Sequence, residues 1–461
     1  MESSLNWLLD LLTEDSSAAA VIAAHNGDIL SLKHETVADY GCLPAVKKVV
    51  SKYFNPKPGE VIVTNDPFSG GHVHNFLFLV TSFTDQIQWT SKVGFKAQLS
   101  KSNETFRVPP MPIATNYSIN QAMLEAMCSH PEAPSGLAEK LKSEIENLWR
   151  KEKKLKVLLK LMPHLMSKTS IDTFCKDSRD FFNSKWREAL EPGDHRLEIN
   201  LNSCETLRLK VEITQNKTCH VDFSGTSKSL GTNLTTAVVE GCCYSAIAAF
   251  CSAKPWMTDA LIKNTQITSP SGSFLNSTAP ASTSFGMFMA APLIADAILF
   301  CLTKLAHQKN WIPNAYRAIS YSFEFAETKY FENLPAGIST NLESQGLSGT
   351  FFWIKNNMCN SIQINEKLYP LRILNEKTRK PESKSSRGGR GIHKEIELQE
   401  DAIFRWILPS PIFNSTELKT APVEKSKIFI VHQEQTTEVT NEQGQLDLKK
   451  GDRVIVQSSG F

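Results

Sequence analysis

Several absences narrow the reading before any residue is singled out. The ten cysteines contain no C-x-x-C pair, so neither a zinc cage of the usual spacing nor a disulfide framework is expected. They read as reduced, mostly buried thiols. Neither charge sign dominates: 50 Lys and Arg against 48 Asp and Glu leave +2, so no global field draws in a nucleic acid. The longest apolar stretch, 285–302, carries Pro292 and Asp296 near its middle. A carboxylate at mid-bilayer is costly, so a buried helix is expected there and not a membrane span. The P-loop pattern G-x-x-x-x-G-K-[ST] is missing, which argues against ATP handling by this chain. No repeat of about 20–50 residues is found.

What is present is ordinary globular usage, with 41% hydrophobic and 21% charged residues, 22 Gly and 22 Pro. A chain of 461 residues suffices for about two to four lobes around a sizeable core. The start, Met1 to Asp10, is acidic and lacks the basic and apolar regions of a secretory signal, so a cytoplasmic location is expected.

Along the chain, residues 18–32 predict a hairpin around the turn His25-Asn26-Gly27-Asp28. Pro44 marks a helix start, with Ala45, Val46, Val49, Val50 and Tyr53 at helical spacing. Val61-Ile62-Val63 and the run Phe76 to Phe83 read as buried strands, separated by Asn65-Asp66-Pro67 and Gly70-Gly71. From Asn120 to Leu190 the period becomes helical, through Leu137, Leu141, Ile145 and Leu148, and the lysines from Lys151 to Lys160 read as a solvated face. Residues 191–270 look mainly β, helices are expected over about 235–252 and about 291–307, and strands return toward the end. A polar loop over 375–394 holds seven Lys or Arg and reads as solvated. The fold class is α+β, mixed β-sheets with a helical insertion. The expected division is an N-terminal α/β lobe over 1–118, the insertion over 119–190 and a C-terminal α+β lobe over 191–461.

Several turn sites fall in a telling order. The segment from Gly59 to Gly71, GEVIVTNDPFSGG, resembles the G-D-V-x-x-x-N-D-P-[YF]-x-G-G signature of the hydantoinase B/5-oxoprolinase family. Asp222-Phe223-Ser224-Gly225-Thr226 is similar to that family's D-F-[ST]-G-T turn. Pro270-Ser271-Gly272-Ser273-Phe274-Leu275-Asn276, Tyr369-Pro370-Leu371, Arg387-Gly388-Gly389-Arg390-Gly391 and Gly451-Asp452-Arg453-Val454 follow in the family's order. The resemblance implies a B-type subunit of an ATP-dependent cyclic-amide hydrolase acting on 5-oxoproline or hydantoin-like rings. It also implies an A-type partner that handles ATP and, in several members, a divalent metal such as Zn²⁺ or Mn²⁺. An oligomer is expected, with neither nucleic acid nor membrane as partner.

The turn formers Asn65 and Asp66 at a strand end could present polar groups to a cavity, and Gly70 and Gly71 let the backbone approach a ligand. With the resemblance, Asn65 and Asp66 are the candidate catalytic pair and Gly70, Gly71, Asp222, Ser224 and Gly225 the candidate substrate-binding positions. The family's T-H-x-x-D after Gly-Gly aligns with His72-Val73-His74-Asn75-Phe76, placing Val73 and Phe76 at the ligand positions. The later H-H-x-D meets Gly94-Phe95-Lys96-Ala97, G-N-x-E-T meets Gly286-Met287-Phe288-Met289-Ala290, and an early carboxylate meets Ser17. If a metal is held at all, His72 and His74, one strand period apart, with Asp66 as third donor, are the expected ligands. Two exposed loop histidines are the competing expectation. A non-catalytic binding or scaffold subunit that keeps the fold is the alternative to the hydrolase.

Overall fold

Strand formation follows the alternation of apolar residues, and helices then cover the faces. The computed structural model describes residues 19–24, 26–72, 76–85, 87–94, 106–163, 167–201, 205–228, 231–283, 286–287, 290–306, 319–337, 348–349, 361–379, 389–408 and 425–460. It divides into two units, Met1–Lys309 and Asn310–Phe461. Among the described residues no helix is long and apolar enough to cross a membrane.

In the first unit the expected hairpin forms as β1 (Ala20–Ala24) and β2 (Ile29–Lys33). Helix α1 (Asp39–Tyr53) begins five residues before Pro44, which sits inside it; the start expected at Pro44 is corrected. Then come β3 (Val61–Thr64), β4 (Phe76–Thr84), β5 (Ile87–Gly94), β6 (Met111–Thr115) and β7 (Ser118–Ile119). These join β1 and β2 in a seven-stranded sheet of order β2-β1-β5-β4-β3-β6-β7, antiparallel throughout. Strand β5 shows how the period of two sorts its residues. Ile87, Trp89 and Val93 join a core with Leu137, Leu141, Ile145 and Leu148, while Gln88 and Lys92 meet α1 on the other face. Both faces are covered, so β4 and β5 are buried almost end to end.

The helical segment gives α2 (Gln121–Cys128), α3 (Leu137–Leu161) and α4 (Lys168–Ala189). Lys151 departs from the expected solvated face: it is buried, with its ammonium 4.9 Å from the centre of the Trp89 ring. Strands β8 (Gly193–Asn200), β9 (Thr206–Ile213) and β10 (Cys219–Asp222) follow, then α5 (Thr236–Phe250), α6 (Thr258–Lys263), β11 (Thr265–Thr268) and α7 (Ala291–Lys304). These strands form a second sheet of order β11-β10-β9-β8. Helix α5 packs between α1 and α7, and α7 lies on β8 and β9. The α1/α5 crossing is made by backbone: a Cβ at Gly41 would stand 1.9 Å from the Ala237 carbonyl oxygen, and one at Gly241 2.7 Å from that of Val37. Only glycine allows this approach.

The second unit holds β12 (Ile319–Glu324), β13 (Lys329–Leu334), α8 (Ile362–Leu368), β14 (Leu371–Thr378), β15 (Ile392–Leu398), β16 (Ala402–Ile407), β17 (Lys427–His432), β18 (Gln435–Glu438), β19 (Gln443–Leu448) and β20 (Arg453–Gln457). Sheets of order β13-β12-β16-β19 and β14-β15-β20-β17-β18 enclose one apolar core. Its inward row on β15 reads Lys394, Ile396, Leu398, and that on β13 Tyr330, Glu332, Leu334. The two charges therefore meet between the sheets: Lys394 Nζ lies 2.9 Å from Glu332 and 2.8 Å from Glu376, its register partner on β14. Tyr321 and Tyr330 also donate to Glu332. Arg379 is buried too, donating to the Lys425 carbonyl at 2.7 Å. The ends of the basic loop expected to be solvated are thus strand and core, while 380–388 lies outside the described residues.

Leu299 on α7 is fully buried, so Leu299→Ala should cost about 2–5 kcal/mol in denaturant unfolding. Lys394→Ala leaves two carboxylates without their cation and should cost about 3–5 kcal/mol. Removing the exposed Arg196, as a control, should change stability by less than about 0.5 kcal/mol.

Candidate functional site

Glycines fix the path of the Asn65–Gly71 turn. Gly70 is left-handed, with φ of 93°, and a Cβ there would lie 2.7 Å from Val46 N in α1. One on Gly71 would lie 2.8 Å from the Asp66 carbonyl oxygen. Asn65 is fully buried: its amide nitrogen donates to the Phe106 carbonyl at 2.8 Å and its oxygen accepts from Val108 N–H at 2.7 Å. Asp66 caps the short 3₁₀ turn Pro67–Ser69, accepting from Phe68 N–H at 3.3 Å and from the Ser69 hydroxyl at 2.6 Å. Asn65 is thus a clamp that positions Asp66.

Beneath this turn lies a buried charge cluster. Asp39, the first residue of α1, accepts at Oδ2 from the Glu35 and Thr36 N–H groups, at 2.9 and 2.8 Å. Lys92, from the α1-facing row of β5, places Nζ 2.9 Å from both Asp39 oxygens and 3.6 Å from Glu35 Oε2. His72 Nε2 stands 3.4 Å from Asp39 Oδ1, its ring against Phe76 and Phe78. Among the described residues, buried His72 Nδ1 has no hydrogen-bond partner. Burial pushes the Asp39 carboxyl up, but the Lys92 charge and the His72 contact outweigh it and hold the group well below the usual carboxylate range. Burial pushes His72 down, the Asp39 contact offsets this in part, and Lys92 adds to the lowering. His72 is only 2% exposed, which corrects the expectation of an exposed loop histidine. His74 lies outside the described residues.

These residues do not fit a divalent metal. The Asp66 carboxylate is engaged in its own turn, His72 Nε2 faces Asp39, and an ammonium already sits against Asp39 and Glu35. Among the described residues no group of three or more His, Cys, Asp or Glu stands ready to hold a metal ion.

Above the turn, α1 and α5 border a cleft of about 780 Å³. Its α1 wall is Gly41, Pro44, Ala45, Lys48, Val49 and Lys52, at three- and four-residue spacing. Opposite stand Thr236, Ala237, Glu240 and Tyr244, and Phe68, Gly70 and the segment from Asn276 to Ala279 close it. Burial raises the Glu240 pKa, against the lowering effect of Lys48. Of the expected substrate positions Gly70 lines this cleft, with Gly71 next to it in the turn. Asp222, Ser224 and Gly225 instead form a turn after β10, where Asp222 Oδ1 accepts from Ser224 N–H and Oγ at 2.9 and 2.6 Å. They are not among the lining residues, although both motifs belong to the first unit.

Sequence reasoning missed Asp39, Lys92 and Glu240. Glu240 was detectable as a lone carboxylate in an apolar helix; Lys92, on the polar parity of its strand with Gln88 and Thr90, and Asp39 carried no such signal.

The lowered His72 pKa means that the unfolded chain takes up a proton below the ordinary value of 6.5 while the folded chain does not. Stability should therefore fall as pH drops below that value, and fall further below the ordinary 3.8 of an aspartate, where the unfolded chain protonates this carboxyl while folded Asp39 stays charged. In His72→Gln the first part of this decline should shrink and the second remain, as read by denaturant unfolding across the pH range.

The whole chain has relatives. No curated protein sequence matches it. Among solved structures, an ATP-dependent caprolactamase from Pseudomonas jessenii superposes with a TM-score of 0.76 at 15% identity, covering 100% of this chain and 88% of that one. A nucleotide-free acetone carboxylase structure, from a study of ATP-dependent acetone carboxylation, gives 0.70 at 11% identity, covering 99% and 73%. At such identities the likeness is one of fold, and it bears out the mixed α+β architecture. The profile of hydantoinase B/oxoprolinase matches residues 12–460, nearly end to end, and by that match the chain belongs to the hydantoinase B/oxoprolinase family.

Proposed function

We propose that this chain is the B-type component of an ATP-dependent enzyme that opens small cyclic amides, with a separate A-type chain supplying ATP-driven activation of the carbonyl. The observation that carries this reading is the cleft between α1 and α5 that the Gly70 turn borders. The family signature shapes it, and its volume of about 780 Å³ falls within the about 300–1,000 Å³ usual for small-molecule sites. Apolar Ala45, Val49 and Phe68 suit ring methylenes, and Lys48, Glu240 and Thr236 offer donors and acceptors to an amide. The lactamase fold of one structural neighbour supports the substrate class. Asp66, Gly70 and Gly71 belong to this site by their turn; Asp222, Ser224 and Gly225 would serve a surface away from it.

One observation favours a second reading, a binding subunit without turnover: the carboxylate of Asp66 and the imidazole of His72 are both engaged by neighbours in the folded chain.

The test is reconstitution. The chain is mixed with a purified A-type partner, ATP and a panel of 5-oxoproline, hydantoin and caprolactam, and ring opening is followed by chromatography. Hydrolysis of at least one ring that requires both chains is the expected result. A stable complex that leaves every ring intact would establish the second reading, and no complex at all would remove both.

A further inference from the structure

We infer that Lys92 is the resident cation of the site beneath the Gly70 turn, its ammonium taking the place that a divalent metal would need, so that the cluster of Glu35, Asp39 and His72 is closed without a metal. The inference does not depend on the proposed reaction. Its basis is the ligand sphere of the ammonium. Nζ meets both Asp39 oxygens at 2.9 Å and Glu35 at 3.6 Å, and the Phe76 ring covers it at 4.7 Å. An ammonium with carboxylate oxygens on one side and an aromatic face on another has its charge satisfied in two different ways.

Access points the same way. The side chains of Lys92 and Asp39 are 1% and 0% exposed, so both are closed off from bulk solvent, whereas Glu35 is 19% exposed and marks the rim. A divalent ion entering here would stand within a few ångströms of a fixed positive charge, in surroundings that screen poorly. Lys92 would have to withdraw, yet it is rooted in the paired interior of β5, with Phe78 of β4 as its register partner. The imidazole completes the case. His72 offers Nε2 to Asp39, its Nδ1 has no hydrogen-bond partner among the described residues, and burial together with Lys92 outweighs the Asp39 contact and keeps the ring neutral. The core of the cluster is one carboxylate, one ammonium and one neutral ring.

The experiment uses the full chain. Purified protein is incubated with excess MnCl₂ or ZnCl₂, desalted and analysed for metal, and its melting temperature is read with and without EDTA. Far less than one equivalent and an unchanged melting temperature are expected. One equivalent of either metal that disappears in Asp39→Asn would overturn the inference. In the second arm, Lys92→Ala is expected to melt lower than the wild type and to regain much of the difference in methylammonium chloride, but not in tetramethylammonium chloride, whose bulk cannot enter the cavity. Equal recovery in both salts, or a variant as stable as the wild type, would show that no cation is needed. If Lys92→Ala does not fold at all, the metal analysis of the wild type still decides.

Discussion

A carboxylate and an ammonium brought together out of reach of bulk solvent tie the first unit's opening helix to its sheet. Asp39 opens helix α1 and Lys92 belongs to the middle of the large sheet, so their contact ties the start of the helix to the strand it covers. Left alone, either charge would be expensive to bury; together, with two backbone N–H groups on the carboxylate, they are tolerated. Such a pair adds little stability over an apolar substitute, but it accepts only one alignment of helix on sheet. The Gly70 turn rests on that helix, and the cleft takes one of its walls from it.

The second unit repeats the device with other elements. Lys394 stands on an inward row where the alternation calls for an apolar residue, and Glu332 does the same on the facing sheet. Each would be a packing fault without the other. With Tyr321, Tyr330 and Glu376 they form a polar knot inside an otherwise apolar layer, which fixes how the two sheets register across their shared core.

How much of this the sequence discloses depends on the range of the interaction. The β1–β2 hairpin, the strand over Phe76–Thr84 and helix α7 are legible because their signals are local: a turn between apolar runs, a continuous apolar stretch, a helical period. The signature from Gly59 to Gly71 is legible as a shape, since Asn65, Asp66, Gly70 and Gly71 all act on nearby backbone or through it. The chemistry is less so. Lys92 and Asp39 are 53 positions apart, and nothing local marks either as half of a pair. Lys151 and Lys394 mislead for a related reason: a charged residue reads as solvated until an aromatic ring or a distant carboxylate is found to cover it. Helix α1 begins at Asp39, whose carboxylate holds the preceding loop through the Glu35 and Thr36 N–H groups, and Pro44 is accommodated within the body of the helix.

The glycine crossing of α1 and α5 separates two properties that usually vary together. Where helices are held apart by side chains, a change of lining also changes the spacing, and a binding site cannot be re-specified without being re-sized. Here main chain touches main chain at Gly41 and Gly241, so the spacing of the two walls is set by backbone and not by the longer side chains that line the cleft. Lys48, Val49, Lys52 and Glu240 hang from that frame without making the contact that spaces it, so their side chains tune the lining and leave the spacing of the walls alone.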